Sequence, residues 1–330
     1  MLSNFVYILL PLFLAVGLLR KIREYQWGHC KTKSMLNGKV FIVTGANSGI
    51  GKETVRELAR RKARVVMACR DLDKTKQVIE DIRREISSGE LIPMLLDLAS
   101  LESVKRFATE VLKDFPKINV LINNAGVSVP VSERRKTEDG YEINFGVNHL
   151  GHFLLTYLLL PRLKESSPSR IVIVSSMLHE RGVIDFDNLN GEKGFVGAKR
   201  RMNPAYCNSK LANMLFNVEL NKRIENTGVD CYALCPGFVY TNLFRYSNVK
   251  WYHYILFSPI ALIFMRTPSQ GAQTTLHCAT AEELEGKSGY FFRNCDFYEP
   301  KVKFDPDVAT KLWKVSEEMV GFDDDNSENQ

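Results

Sequence analysis

The chain has 330 residues, 45% of them apolar and 25% charged, which allows a sizeable buried core and describes an ordinary globular protein. Its 44 basic and 38 acidic residues leave a net charge of +6, spread without a polybasic block or interleaved aromatic stripe. That excludes nucleic acid as an expected partner and leaves mild attraction to phosphate-bearing cofactors or acidic lipid heads. Seven cysteines, an odd number without paired CxxC spacing, argue for reduced thiols. The one near pair of histidines, His149 and His152, has no third ligand at zinc spacing, so no metal is expected.

The first element is an apolar run from Phe5 to Leu19, interrupted only by Pro11 and Gly17 and followed at once by Arg20, Lys21 and Arg23. As a helix, Leu2 to Leu19 would reach roughly 27 Å, marginal against a hydrocarbon core of about 30 Å and better matched to a thin bilayer such as the endoplasmic reticulum. A cleaved secretory peptide is the competing reading, but the positive charge follows the run and no A-x-A-like site comes after it. The expectation is an uncleaved anchor in the endoplasmic reticulum membrane with the body of the protein facing the cytosol, a mitochondrial membrane being the alternative.

From Lys39 the pattern changes to short apolar runs, KVFIVT, ARVVMA, LIPMLLDL, INVLIN, RIVIVSS, VDCYALCPG and SGYFF, separated by amphipathic stretches such as Lys52 to Arg61, Leu101 to Asp114 and Leu211 to Ile224. Strands apolar on both sides and alternating with helices predict an α/β fold, a doubly wound parallel sheet in one domain. Directly after the first run stands TGANSGIG, with a helix beginning at its end. Gly45 permits the turn out of the strand, Gly49 lets backbone approach a pyrophosphate, and Gly51 allows close helix packing. Asn47, Ser48 and Ile50 complete the turn, whose helix N-terminus offers free N–H groups and partial positive charge. The second strand ends in Cys69-Arg70, and an arginine there suits a 2′-phosphate, so NADP(H) is expected over NAD(H). Lys52 is expected to add a second positive group, and Asp71 and Asp73 read as helix caps.

The helical stretch Glu142 to Leu163 carries Asn148, whose amide is placed to hold a water leading from a lysine to solvent. Ser176 ends the fifth run, at the edge of the sheet where ligands of such folds bind, and is expected to hold a substrate oxygen; Ser175 is its twin, expected to point into the packing. Tyr206-Cys207-Asn208-Ser209-Lys210 opens the next helix, and its i, i+4 spacing sets phenol and ammonium on one face. The lysine cation, with an oxidised nicotinamide, is expected to bring the phenol down towards its working range so that Tyr206 transfers the proton. Beyond the sixth run, the apolar stretch from Trp251 to Met265 reads either as buried core or as a lid that dips into a membrane.

Together TGANSGIG, the NNAG of Asn123 to Gly126, Asn148, Ser176, YCNSK and Pro236-Gly237 resemble the short-chain dehydrogenase/reductase superfamily, with its Rossmann-type fold, over roughly Lys39 to Tyr290. GANSGIGKET, VVMACRD, VNHLGHFLLT, AYCNSKLANMLF and TPSQGAQTTLHCA look like one group within it, the membrane-bound, NADPH-preferring retinol dehydrogenases. The resemblance implies Asn148, Ser176, Tyr206 and Lys210 as the catalytic set. It also implies Asn124, Ala125 and Gly126 beside the adenosine part of the cofactor, Asp97 and Leu98 at the adenine, and Pro236, Gly237, Val239 and Thr241 near the nicotinamide. The organisation expected is an anchor (1–20), a linker (21–37), a dinucleotide-binding catalytic domain (38–321) and an acidic disordered tail (322–330). The stretch between Ser176 and Tyr206 is longer than in that group and borders the substrate entrance. Retinol and retinal are the substrates expected, with a keto-steroid, a farnesol-like alcohol or a lipid-derived aldehyde as the alternative, and an NADPH-binding sensor without turnover is the reading from a different class.

Overall fold

The computed structural model describes residues 2–195, 202–241, 243 and 261–322, and of residues 2–10 and 12–13 the backbone alone. After a helix α1 (Leu2–Gln26), strands and helices alternate: β1 (Val40–Thr44), α2 (Gly49–Arg60), β2 (Arg64–Cys69), α3 (Leu72–Arg83), β3 (Glu90–Leu95), α4 (Leu101–Asp114) and β4 (Val120–Asn123). There follow α5 (Gly151–Glu165), β5 (Ser169–Val174), α6 (Pro204–Arg223), β6 (Val229–Cys235), α7 (Pro268–Thr280), β7 (Phe291–Arg293), β8 (Asp296–Phe297) and α8 (Pro306–Val320).

The strands line up as β3-β2-β1-β4-β5-β6-β7-β8, all pairs parallel except β7 with β8. Period-two alternation divides β1 between two cores: Val40 and Ile42 pack with α4, α5 and α6, whereas Phe41 and Val43 pack with α2, α3 and α7. Burying each such side chain is worth about 1.5–3 kcal/mol, which is why a run as apolar as VFIVT becomes an inner strand. Helix α4 shows the matching helical logic: Ser100 caps it by accepting from Ser103 N, and Val104, Phe107, Ala108 and Val111 face the sheet. Because the chain proceeds outward from β1 to β3 and then returns to build from β4 the other way, the carboxyl ends of β1 and β4 diverge into a crevice.

The third run was expected to be buried on both sides, but β3 is the sheet's edge, with Leu95 46% exposed, and there Pro93 costs no ladder bond to an outer neighbour. The helical stretch from Glu142 is broken as well: Ile143–Phe145 is followed by a π turn, Gly146–Leu150, before α5 begins. Such a turn shifts the backbone register by one residue and aims side chains that a regular helix would bury elsewhere.

The N-terminal run forms one helix with Arg20, Lys21 and Arg23 in its last turns. Among the described residues no helix is long and apolar enough to cross a membrane. The base of α1 docks on the body: Arg20 donates to the carbonyls of Leu262 and Met265 and to Gln270 Oε1, and Trp27 lies between Arg20 and Arg266. Residues 251–260 of the expected lid and 323–330 of the expected tail lie outside the described residues.

Candidate active site

A cleft of about 350 Å³ opens at the carboxyl edge of the sheet. Its floor is the glycine turn. Gly45 and Gly49 have φ of +64° and +53°, which a side chain would strain, and a Cβ on Gly51 would lie 2.4 Å from the Gly45 carbonyl oxygen. Asn47, Ser48 and Ile50 line the same turn, and Ser48 is the extended N-cap residue of α2, so the free N–H groups of that helix face the cleft. A backbone this bare, at the positive end of a helix, fits a pyrophosphate.

At the end of β2 the cleft is lined by Arg70 and also by Lys74, one turn further on. Asp71 accepts from Lys74 N at 2.9 Å and so caps α3, as expected of it. Lys52, expected as the second cation, is not brought to the cleft. Its ammonium pairs with Asp81 on the outer face of α2 and α3 and does not line the cleft, because α2 turns position 52 away from the crevice. Lys74 is the residue that sequence reasoning passed over; its signal was the four-residue spacing from Arg70 within the first turn of a capped helix. Asp97, Leu98, Asn124, Ala125, Gly126, Pro236 and Thr241 all line the cleft. Gly237 and Val239 do not; Val239 pairs in a bridge with Arg266 and packs where a Cβ on Gly271 would stand.

The inner end of the cleft is made of buried side chains. Asn203 caps α6 with Pro204 behind it, which brings Tyr206 and Lys210 onto the inward face of its first turns. Lys210 Nζ donates to the Val174 carbonyl at 2.9 Å and stands 5.7 Å from the centroid of the Tyr206 ring. Ser175 lines the cleft, and its Oγ donates to the Lys210 carbonyl at 2.9 Å, so its hydroxyl proton is held by the backbone of α6. Ser176 instead caps the short turn Met177–Arg181, its Oγ accepting from Leu178 N at 3.2 Å, and its hydroxyl neighbours the Tyr206 phenol.

Asn148 differs from expectation. Its amide donates both protons, to the Val127 carbonyl at 2.9 Å and Ser209 Oγ at 2.9 Å, and its Oδ1 accepts from Val127 N at 2.8 Å. The side chain clamps the segment after β4 to α6, which commits both amide protons and leaves a second lone pair on Oδ1. It does so beside the lysine: a Cβ on Gly126 would lie 3.4 Å from Asn148 Oδ1 and 3.7 Å from Lys210 Nζ.

In the chain alone, burial pushes the Tyr206 phenol above its ordinary value, opposed only in part by the neighbouring Ser176 hydroxyl. Burial likewise lowers Lys210 to about 8. The expectation joined the lysine to an oxidised nicotinamide, and in the chain alone burial is the larger influence on the phenol. The protein alone therefore keeps Tyr206 neutral, which is the form that donates a proton.

Comparison with known proteins agrees with this arrangement. The sequence model of the short chain dehydrogenases matches residues 39–250. Retinol dehydrogenase 12 of Mus musculus is 46% identical over 323 residues, covering 96% of this chain and 98% of the relative. Retinol dehydrogenase 14 of Homo sapiens is 46% identical over 306 residues, 87% and 88% of the respective chains. Among solved structures, an uncharacterized protein from Mycobacterium paratuberculosis superposes with a TM-score of 0.66 at 35% identity, over 87% of this chain and 95% of the other. A short chain dehydrogenase from Shigella flexneri, solved with NADP, has a TM-score of 0.62 at 23% identity, over 80% of this chain and all of the other, and shares the fold.

Proposed function

Because the chain belongs to the short chain dehydrogenase family and is an oxidoreductase acting on CH–OH groups, we propose that it interconverts retinol and retinal with NADP(H) as its cofactor. The observation that carries this reading is the cleft that runs from the bare glycine turn to Tyr206 and Lys210, with Ser176 beside the phenol. Its supports are the likeness to retinol dehydrogenases over nearly the whole chain and the two cations, Arg70 and Lys74, at the end of β2.

The residues divide the work. Gly45, Asn47, Ser48, Gly49, Ile50 and Gly51 hold the pyrophosphate, Arg70 and Lys74 hold a 2′-phosphate, and Asp97, Leu98 and Asn124 to Gly126 border the adenosine part. When bound, the nicotinamide supplies or accepts the hydride. Ser176 holds the substrate oxygen at Tyr206, and the neutral phenol donates its proton to that oxygen during reduction. Lys210 then offsets the charge left on the phenol, and Asn148 keeps the lysine's side of the pocket in place. The same groups run in reverse for oxidation, and reduction is the favoured direction where NADPH predominates.

The substrate reading extends to the membrane. α1 presents Leu14, Leu18, Leu19, Ile22 and Tyr25 to its surroundings, and Leu262 and Phe264 are exposed beside the Arg20 dock. An anchor in the endoplasmic reticulum membrane, with the cleft facing the cytosol, would place this surface where a lipophilic alcohol dissolves.

The test is cofactor oxidation by membranes that carry the intact chain, with NADPH or NADH and with all-trans-retinal, a medium-chain aldehyde or a keto-steroid offered separately. Retinal reduction with NADPH that disappears in Tyr206→Phe is the expected result. Turnover of another carbonyl alone would overturn the retinoid assignment and keep the chemistry, and NADPH binding without any turnover would overturn the chemistry in favour of a sensor.

A further inference from the structure

In the first turn of α5, against the end of β1, lies His152, buried, with two hydrogen bonds whose polarity follows from counting protons. Thr44 Oγ accepts from the backbone N–H groups of Asn124 and Ala125, both at 2.9 Å, which occupies its two lone pairs. Its one proton goes to His152 Nε2 at 2.9 Å in preference to the Ile122 carbonyl at 3.4 Å. With Nε2 accepting, the ring proton sits on Nδ1 and is donated to the Asn148 carbonyl at 3.1 Å. Burial lowers His152 to about 3, and the nearby Lys210 charge adds to the fall, so the ring stays neutral and in one tautomer at any physiological pH.

The carbonyl it grips is in the middle of the π turn Gly146–Leu150, a register that helices adopt only when something holds it. The amide of that same residue clamps Val127 and Ser209 next to Lys210. We propose that His152 is a positioning residue, a neutral strut that ties the Thr44 hydroxyl and the Asn124–Ala125 turn to the Asn148 carbonyl and thereby fixes the catalytic end relative to the cofactor cradle. This rests on reading Asn148 and Lys210 as parts of the catalytic end. His149, three residues earlier, is equally buried but meets Ser316 of α8 on the other side and has no such link.

The experiment compares His152→Leu, which removes both bonds, with His152→Gln, which retains one donor and one acceptor, and with His149→Gln as a packing control. Rates are measured on the best carbonyl of the substrate panel and normalised to the NADPH-binding fraction. Loss of the strut is expected to lower kcat by about tenfold, leave the KM for NADPH within about threefold, and shift the alkaline limb of the kcat–pH profile as Lys210 moves. His152→Gln should recover most of kcat, and Thr44→Val combined with His152→Leu should cost little more than either alone. Equal kcat and an unmoved pH profile in folded His152→Leu would reduce the residue to core packing. Should the leucine variant not fold, imidazole ¹⁵N spectra of the unmutated protein decide: a proton on Nδ1 that does not titrate between pH 5 and 8 supports the strut, and one on Nε2 overturns it. Turnover surviving in Tyr206→Phe would defeat the underlying catalytic reading instead, whatever the His152 variants do.

Discussion

The two ends of the cleft are built by different means. At the cradle end, binding falls to backbone N–H groups and to the absence of side chains at Gly45, Gly49 and Gly51, all within one turn of chain. At the candidate catalytic end it falls to the buried Asn148, Tyr206 and Lys210 and the half-buried Ser176, delivered by the π turn, the end of β5 and the start of α6. The cradle is local and solvated and so tolerates little bulk but needs no tuning of charge. The catalytic end is dry, so every polar group there is either spent on a backbone partner or shifted in its ionisation.

The sharpest way to break the catalytic end is Ser176→Ala, expected to cost about a hundredfold in kcat with the cofactor KM kept, whereas Ser175→Ala should leave kcat nearly unchanged because its hydroxyl serves Lys210 O. Steady-state kinetics of the pair checks both. Breaking the cradle requires bulk: a Cβ at residue 51 would meet the Gly45 carbonyl at 2.4 Å, so Gly51→Ala should weaken NADPH binding more than kcat and destabilise the fold by about 1–3 kcal/mol. Cofactor titration and thermal melting would show it. A smaller effect, about tenfold, is expected in the preference for NADPH over NADH from Arg70→Ser, with Lys74→Ala lowering it further, since each removes a charge-assisted contact of about 1.5–3 kcal/mol shared with solvent. Lys52→Ala should leave that ratio alone, its partner being Asp81.

The smallest effect concerns stability. Lys210 ionises at about 8 in the folded chain against 10.5 when unfolded. Between these values the unfolded chain binds the extra proton, so stability rises with pH through that window, and below about 8 the buried ammonium is a cost. Inactive Lys210→Met should therefore be more stable at pH 7, by roughly 1–2 kcal/mol after the lost bond to Val174 O is counted, and the gain should shrink towards pH 10.5. Denaturant melts at a series of pH values would reveal the crossover.

Most of the site was legible because its signals are short and ordered along the chain. TGANSGIG falls between a strand and a helix, YCNSK carries its two reactive groups at one helical spacing, and the seven apolar runs became seven of the strands. The misses have a common form. Lys52 and Lys74 both lie near phosphate-binding turns, and only the roll of α2 and α3 decides which ammonium reaches the cleft. The edge position of β3 and the antiparallel β8 depend on pairing order, which the apolar content of a run does not encode.

By itself the sequence determined the alternation of strands and helices, the bare glycine turn and the candidates for the reacting groups, because periodicity and side-chain chemistry act over a few residues. Only the tertiary structure decided how those groups are placed: that Asn148 clamps the segment after β4, that the Ser175 hydroxyl goes to the Lys210 carbonyl while Ser176 neighbours the phenol, and that a π turn and His152 stand between the cradle and the lysine. The physical reason is burial. Whether a polar atom is free, paired or shifted in charge depends on which distant segments exclude water around it, and no local pattern carries that information.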